Sequence, residues 1–254
     1  MSTTMSKRAA LLLFIGACSS APAFAQSGSA PSGCGSAPGA RQLFTGTIGD
    51  FRQLPSRGSL GIMTLGTAAA IGTHTVDART TRAFAGETEL RSTFKSGAVL
   101  GGTPLQMGAA FASYAIGRAL HKPCAASVGA DLVRAQLIAQ GLTFALKGTT
   151  RRVRPEGKGF SFPSGHTTVS FASATVLQQH FGWKIGLPAY AVASYVAASR
   201  VQMKRHYLSD VTFGAALGIM AGRTVSIGHG RRLLITPMAT AGGAAAGFTW
   251  VGRR

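Results

Sequence analysis

His206 and Asp210 stand four residues apart in the segment Ser199-Arg200-Val-Gln-Met-Lys-Arg-His206-Tyr-Leu-Ser-Asp210. On a helical turn such a pair faces itself. A carboxylate held on one imidazole nitrogen fixes the tautomer and leaves the other nitrogen free as a nucleophile. A second segment, Phe162-Pro163-Ser164-Gly165-His166-Thr167, reads as the entry to an apolar helix. Ser164 can cap it, Gly165 lets another group approach the backbone, and His166 stands in the first turn. The free N–H groups and the dipole at such an end favour an anion. A third segment, Lys147-Gly-Thr-Thr-Arg151-Arg152-Val-Arg154-Pro155, concentrates positive charge where a helix ends. Taken singly, each has a plain structural alternative: a surface pair, a structural first-turn histidine, a solvated basic turn.

Their combination depends on the elements that carry them. Ala-, Leu- and Gly-rich runs separated by Pro, Gly and charge clusters predict helices over about 58–74, 96–120, 128–147, 165–181, 185–199 and 209–225. The expected fold is therefore all-α, a compact bundle of about six helices. Leu233–Thr240 and Ala244–Val251, on either side of Gly242-Gly243, add a short C-terminal β-hairpin. In an up-and-down bundle the end of the third helix, the start of the fourth and the junction of the fifth and sixth lie at one end. That mouth would hold Lys147, Arg154, Arg200, two histidines and a helix N-terminus. Such a mouth is a phosphate pocket with a nucleophile and an acid, and it needs no metal or other cofactor.

Composition bears on the partner. The chain has 254 residues, enough for one well-buried domain or two small ones, with 26 Lys+Arg against 7 Asp+Glu and a formal charge of +19. The acids Asp50, Asp77, Glu87, Glu89, Asp131, Glu156 and Asp210 are scattered, so no carboxylate cradle for a two-metal hydrolase is visible. The basic excess points to anionic partners. Lys7 and Arg8, the apolar run Ala9–Ala17 and Ala23-Phe24-Ala25 compose a secretory signal over 1–25, which makes nucleic acid a poor partner. Ile15-Gly16-Ala17-Cys18 offers the alternative of lipoprotein processing at Cys18. After signal cleavage Cys34 and Cys124 remain. They form either a disulfide that pins the Ser/Gly/Pro-rich segment 26–57, read as flexible, or two unpaired thiols. Only Gly58–Val76 and Ser96–Gly117 are uncharged over lengths that could span a bilayer, so an exported, non-spanning domain is expected over an integral one.

Lys147-x6-Arg154-Pro155, Pro163-Ser164-Gly165-His166 and Ser199-Arg200-x5-His206-x3-Asp210 resemble the three-part signature of the type 2 phosphatidic acid phosphatase superfamily, which also includes bacterial acid phosphatases and vanadium haloperoxidases. The resemblance covers about residues 58–227. It implies that His206 attacks phosphorus and forms a phosphohistidine, with Asp210 holding and polarising it. His166 would protonate the leaving oxygen and then activate water. Lys147, Arg154 and Arg200 would neutralise the phosphate oxygens, helped by Ser164 and the Gly165 N–H. Arg151, Arg152, Lys158, Lys204 and Arg205 match no signature position and read equally as a rim for anionic substrate or membrane and as solvated charge. The expected substrate is a lipid phosphate or diphosphate, met at an anionic membrane surface in the periplasm. A secreted acid phosphatase on soluble esters, a vanadium haloperoxidase and a non-catalytic binder of anionic membranes are the alternatives.

Overall fold

A computed structural model describes residues 37–84, 88–227, 232–240 and 243–251, the last two by their backbone. The signal segment, Cys18 and Cys34 lie outside the described residues. Ten helices are described: α1 (Ala40–Gln53), α2 (Arg57–His74), α3 (Asp77–Phe84), α4 (Thr88–Phe94), α5 (Gly97–Leu100), α6 (Thr103–Ala119), α7 (Pro123–Thr150), α8 (Gly165–Phe181), α9 (Trp183–Gln202) and α10 (Leu208–Ile227). Strands β1 (Arg232–Thr240) and β2 (Gly243–Val251) pair antiparallel, with Leu233 opposite Trp250 and Thr240 opposite Gly243.

The expected helical fold is the observed one, with three differences. The run 96–120 is split, because Gly101 packs its backbone directly on the Val196 side chain and Pro104 starts a new helix in the first turn of α6. Helices α3 and α4, unassigned in the sequence, cover polar segments with little apolar periodicity. The third difference corrects the flexible reading of 26–57: residues 40–53 form α1. Its Asp50 is buried and accepts from Arg134 Nε at 2.8 Å, while Arg134 Nη1 and His180 Nε2 both reach Asp131, at 3.4 and 2.9 Å. A buried carboxylate requires such a partner, and the partner lies in a helix 84 positions away. Cys124, at the start of α7, is disulfide-bonded.

Helix α8 is the centre of the fold, packed against α7, α9 and α10, while α2 packs on α10 and α6 on α7. Ala135, Ile138, Ala139, Val169, Ala172, Val176, Ala221 and Val225 form a fully buried cluster between α7, α8 and α10. Such small side chains permit close crossings. A Cβ on Gly218 would collide with the Thr168 carbonyl, and one on Gly129 with the Tyr114 backbone. Close packing of α8 against α10 sets the separation of the two helices that carry His166 and Asp210. Among the described residues, no helix is long and apolar enough to cross a membrane.

Candidate active site

Helix α7 is capped by Arg151 in the left-handed region at φ 46°, and Lys204, just beyond the end of α9, takes the same region at φ 56°. Asn, Asp and Gly take that conformation most readily, so two basic residues held there mark a strongly constrained backbone. These reversals turn the chain sharply into the loops that carry Arg152, Arg154 and His206. The first loop closes on itself through a bridge between Val153 and Phe160, with Gly157 and Gly159 at positive φ in its turn. The Phe162–Pro163 peptide is cis, and Ser164 then caps α8, its Oγ accepting from the Thr167 hydroxyl at 2.9 Å.

His166, His206, Arg154 and Arg200 line a single cavity of about 280 Å³, together with Ala98, Met203 and Arg205. Lys147, Ser164, Gly165 and Asp210 stand outside that lining. The Lys147 ammonium donates to the carbonyls of Phe160 and Ser161 at 3.1 and 3.2 Å, which ties α7 to the loop. Ser164 is fully buried, and its N–H donates to the Asp210 carbonyl at 3.1 Å, joining the start of α8 to α10. A Cβ on Gly165 would meet protein atoms only at ordinary contact distance, so the protein itself does not require glycine there. A second cavity, of about 220 Å³ beside Arg52, Ser56 and Thr224, contains none of these residues.

His206 is buried at 4% exposure, and its Nδ1 faces Asp210 Oδ2 across 3.7 Å. No hydrogen-bond partner completes that nitrogen, which leaves it aimed at the carboxylate with room to close. Nε2 is then the ring nitrogen available to the cavity. Burial pushes the His206 pKa down, with Asp210 opposing and Lys147 and Arg154 adding to the effect, so the ring is held neutral. Asp210 has no exposed surface. Burial alone would raise its pKa, but His206, the Ser161 hydroxyl, the Tyr207 N–H and Arg152 outweigh it and keep the group below the usual carboxylate value.

The cavity is strongly electropositive. Lys147 is lowered to about 8, first by burial and then by Arg154, and Arg200 to about 10, by burial and its arginine neighbours. His166 is lowered to about 4, first by burial and then by Arg200 and His206. Such mutual repulsion is what a polyanion would relieve. Arg154 meanwhile holds the Phe160 carbonyl at 3.2 Å and lies 3.6 Å from Glu156, which also pairs with Arg205 at 2.6 Å.

Arg152 corrects the reading of a basic rim. Its guanidinium turns inward, donating to Asp210 Oδ1 and to Asp77 Oδ2, each at 2.7 Å. Asp77 lies near no recognisable spacing, and Ser161, although it directly precedes the Phe162–His166 segment, fills no position of that pattern. The only sequence signal for Arg152 was its place between Lys147 and Arg154.

Residues 128–233 match the PAP2 superfamily. The chain is 41% identical over 86 residues to a lipid A 1-phosphatase of Porphyromonas gingivalis, covering 32% of this chain and 19% of that protein. It is 34% identical over 106 residues to decaprenylphosphoryl-5-phosphoribose phosphatase of Mycobacterium tuberculosis, covering 37% of this chain and 58% of the other. The alignments thus span between about a fifth and three fifths of those relatives' lengths. The crystal structure of Aquifex aeolicus LpxE superposes with a TM-score of 0.50 at 23% identity, over 60% of this chain and 94% of that one, a likeness of fold. The segment that matches the PAP2 superfamily, residues 128–233, is the one that carries the paired histidines of the electropositive cavity.

Proposed function

We propose that this chain is a metal-independent phosphatase that cleaves a lipid phosphate through a phosphohistidine on His206. The observation that carries the reading is the cavity of about 280 Å³ on which His206, His166, Arg154 and Arg200 converge. His206 Nε2 attacks phosphorus as the bond to the leaving oxygen breaks, and His166 gives its proton to that oxygen. Water then attacks the phosphohistidine, His166 takes the water proton, the P–N bond breaks and phosphate leaves. Arg154 and Arg200 carry the charge on the non-bridging oxygens, with Lys147, Ser164 and the Gly165 N–H as the neighbouring donors. A mono- or diphosphate group satisfies the same donors.

A lipid substrate is supported by the relatives, named for lipid A and decaprenylphosphoryl substrates, and by the surface. Leu60, Leu65, Ile71, Phe111, Leu120 and Phe144 are all at least 46% exposed. Exposed apolar side chains with a net charge of +19 suit the surface of an anionic bilayer. The proposed setting is the periplasmic face, reached through the signal over 1–25, with Cys34 as the proposed partner of Cys124.

The test is phosphate release from lipid A, phosphatidate, a prenyl diphosphate and an aryl phosphate, each with vanadate and with EDTA. The reading expects vanadate-sensitive, EDTA-resistant release that is faster on the lipids. Inhibition by EDTA would overturn the metal-independent mechanism, and faster release from the aryl ester would move the assignment to a soluble-ester phosphatase. Halide oxidation with bound vanadate, and no release from any ester, would make the chain a haloperoxidase.

A further inference from the structure

Arg152 sits behind the nucleophile and touches nothing in the cavity, yet it is the most highly bonded cation of the site. Nη1 donates to Asp210 Oδ1 and to Ser209 Oγ, both at 2.7 Å. Nη2 donates to Asp77 Oδ2 at 2.7 Å and lies 3.3 Å from His74 Nδ1. The guanidinium lies over the Tyr207 ring, 4.1 Å from its centroid. Asp77, on α3, is buried at 4% exposure and also accepts from the Ser209 N–H at 2.9 Å and the Ser209 hydroxyl at 2.6 Å. Its Oδ2 is 3.0 Å from His74 Nδ1 at the end of α2.

We propose that Arg152 and Asp77 are a pair of positioning residues for the nucleophile: Arg152 fixes which oxygen of Asp210 faces His206, and Asp77 offsets the charge of Arg152 so that Asp210 keeps its own for the imidazole. The inference rests on the phosphohistidine reading above.

The geometry supplies the first half. The two oxygens of a carboxylate are equivalent until their partners distinguish them. Here Oδ2 receives the Ser161 hydroxyl and the Tyr207 N–H, the latter at 2.8 Å, and faces His206 Nδ1, whereas Oδ1 is held by Arg152. Without Arg152, Oδ1 would be a buried acceptor with no described donor, and rotation about the side chain would be the way to satisfy it. The Asp210 oxygen presented to His206 would then no longer be defined.

Charge supplies the second half. Attack through Nε2 leaves the ring positive, and only a net negative group across Nδ1 lowers the energy of that state. Arg152 alone would neutralise Asp210 in a buried site, where charges act strongly. With Asp77 added, one arginine and two carboxylates leave one negative charge directed at His206. The other charged or titratable groups around His206 are Lys147 from α7, Arg154 from the loop, His166 from α8, and Arg200 and Arg205, which line the same cavity. His74, at the outer end beside Asp77, and Tyr207, whose ring lies against the Arg152 guanidinium, are the remaining titratable neighbours of the pair.

The two halves predict opposite pH signatures. Arg152→Gln removes a positive charge near Asp210 and His206, so both pKa values rise and the acid limb of kcat moves up by about one pH unit. Asp77→Asn leaves Arg152 unbalanced, so the acid limb moves down. In both, kcat falls by about 100-fold with KM changed less than about threefold, as expected when a reacting group is misplaced without loss of binding. Arg152→Lys keeps the charge without the fork, so it restores the limb but not the full kcat. A merely structural role would lower the folded fraction in all three and leave the limb in place.

The experiment is the pH profile of kcat and KM for these variants in the full chain. Alongside it, the His206 ring is titrated by NMR with 13C-labelled histidine, which needs no turnover. Opposite displacements of His206 in the two charge variants support the pair. Displacement in the same direction, or none in a folded variant, overturns it. If Arg152→Gln does not fold, Asp77→Asn decides alone, and an unmoved His206 there refutes the proposal. Absence of hydrolysis by the wild-type chain on every ester would sink the phosphatase reading instead, and the NMR titration would still judge the pair.

Discussion

In the proposed mechanism His166 must be protonated to act on the leaving oxygen, yet without a bound anion its pKa is lowered to about 4. The resolution is that the substrate brings the proton affinity with it. Burial is the largest cause of the lowering and persists in the complex, but Arg200, His206 and Arg154 also contribute, and a bound dianion would reverse their sign. Full return to the ordinary 6.5 makes the protonated enzyme bind the anion about 300-fold more tightly than the neutral one, since each pH unit is worth a factor of ten. Between about pH 7.5 and 4.5 this amounts to an affinity gain of at most roughly 70-fold, because part of that interval lies near the free-state value. Binding should therefore take up a proton, and affinity should rise as pH falls. The assay is calorimetric binding of inorganic phosphate and of vanadate to the wild type and to His166→Gln across that interval. The ratio of the two Kd values cancels the anion's own protonation. A ratio that stays flat with pH, or a His166 resonance that still titrates near 4 with phosphate bound, would refute the reasoning.

His206→Ala should lower kcat by at least about 10⁴-fold and leave circular dichroism unchanged, since it removes the proposed attacking atom; near-normal turnover would remove His206 from the mechanism. Asp210 is held below the carboxylate value, so its stabilising effect is present above the unfolded pKa near 3.8 and is lost as pH falls through the folded value. Asp210→Asn should cost about 3 kcal/mol in urea unfolding near neutrality, and the difference from wild type should shrink below about pH 4. Gly218→Ala would force a Cβ onto the Thr168 carbonyl and should lower stability by about 1–3 kcal/mol while parting His166 from Asp210. Gly72→Ala on α2 has open space around it and should gain about 0.5–1 kcal/mol by helix propensity, so thermal unfolding of the two variants should differ in sign.

The helices were legible where apolar runs were long and bounded by Pro, Gly or charge, as in α2, α8 and α10. The fold class and the family signature were legible too, since the signature residues lie within short spacings. Less was legible where stability comes from distant partners. Helix α1 has a polar sequence beside a Ser/Gly/Pro-rich stretch, and its docking depends on Asp50 meeting Arg134. Helix α3 looks like a surface segment until Asp77 is seen on Arg152, 75 positions away.

The two adjacent arginines make the division plain. Arg151 and Arg152 are identical in composition and context, and no local rule separates them. The fold puts Arg151 in the left-handed turn that ends α7, where its Nε meets only the Gly148 carbonyl at 3.1 Å, and turns Arg152 between two buried carboxylates. Spacing along the chain determined which groups could meet phosphate, because helix ends and i,i+4 geometry are local. Which cation stands behind the proposed nucleophile was decided by tertiary structure alone. A buried carboxylate is tolerated only where an opposite charge closes on it, and here Asp77 of α3 and Asp210 of α10 both meet the half-buried Arg152.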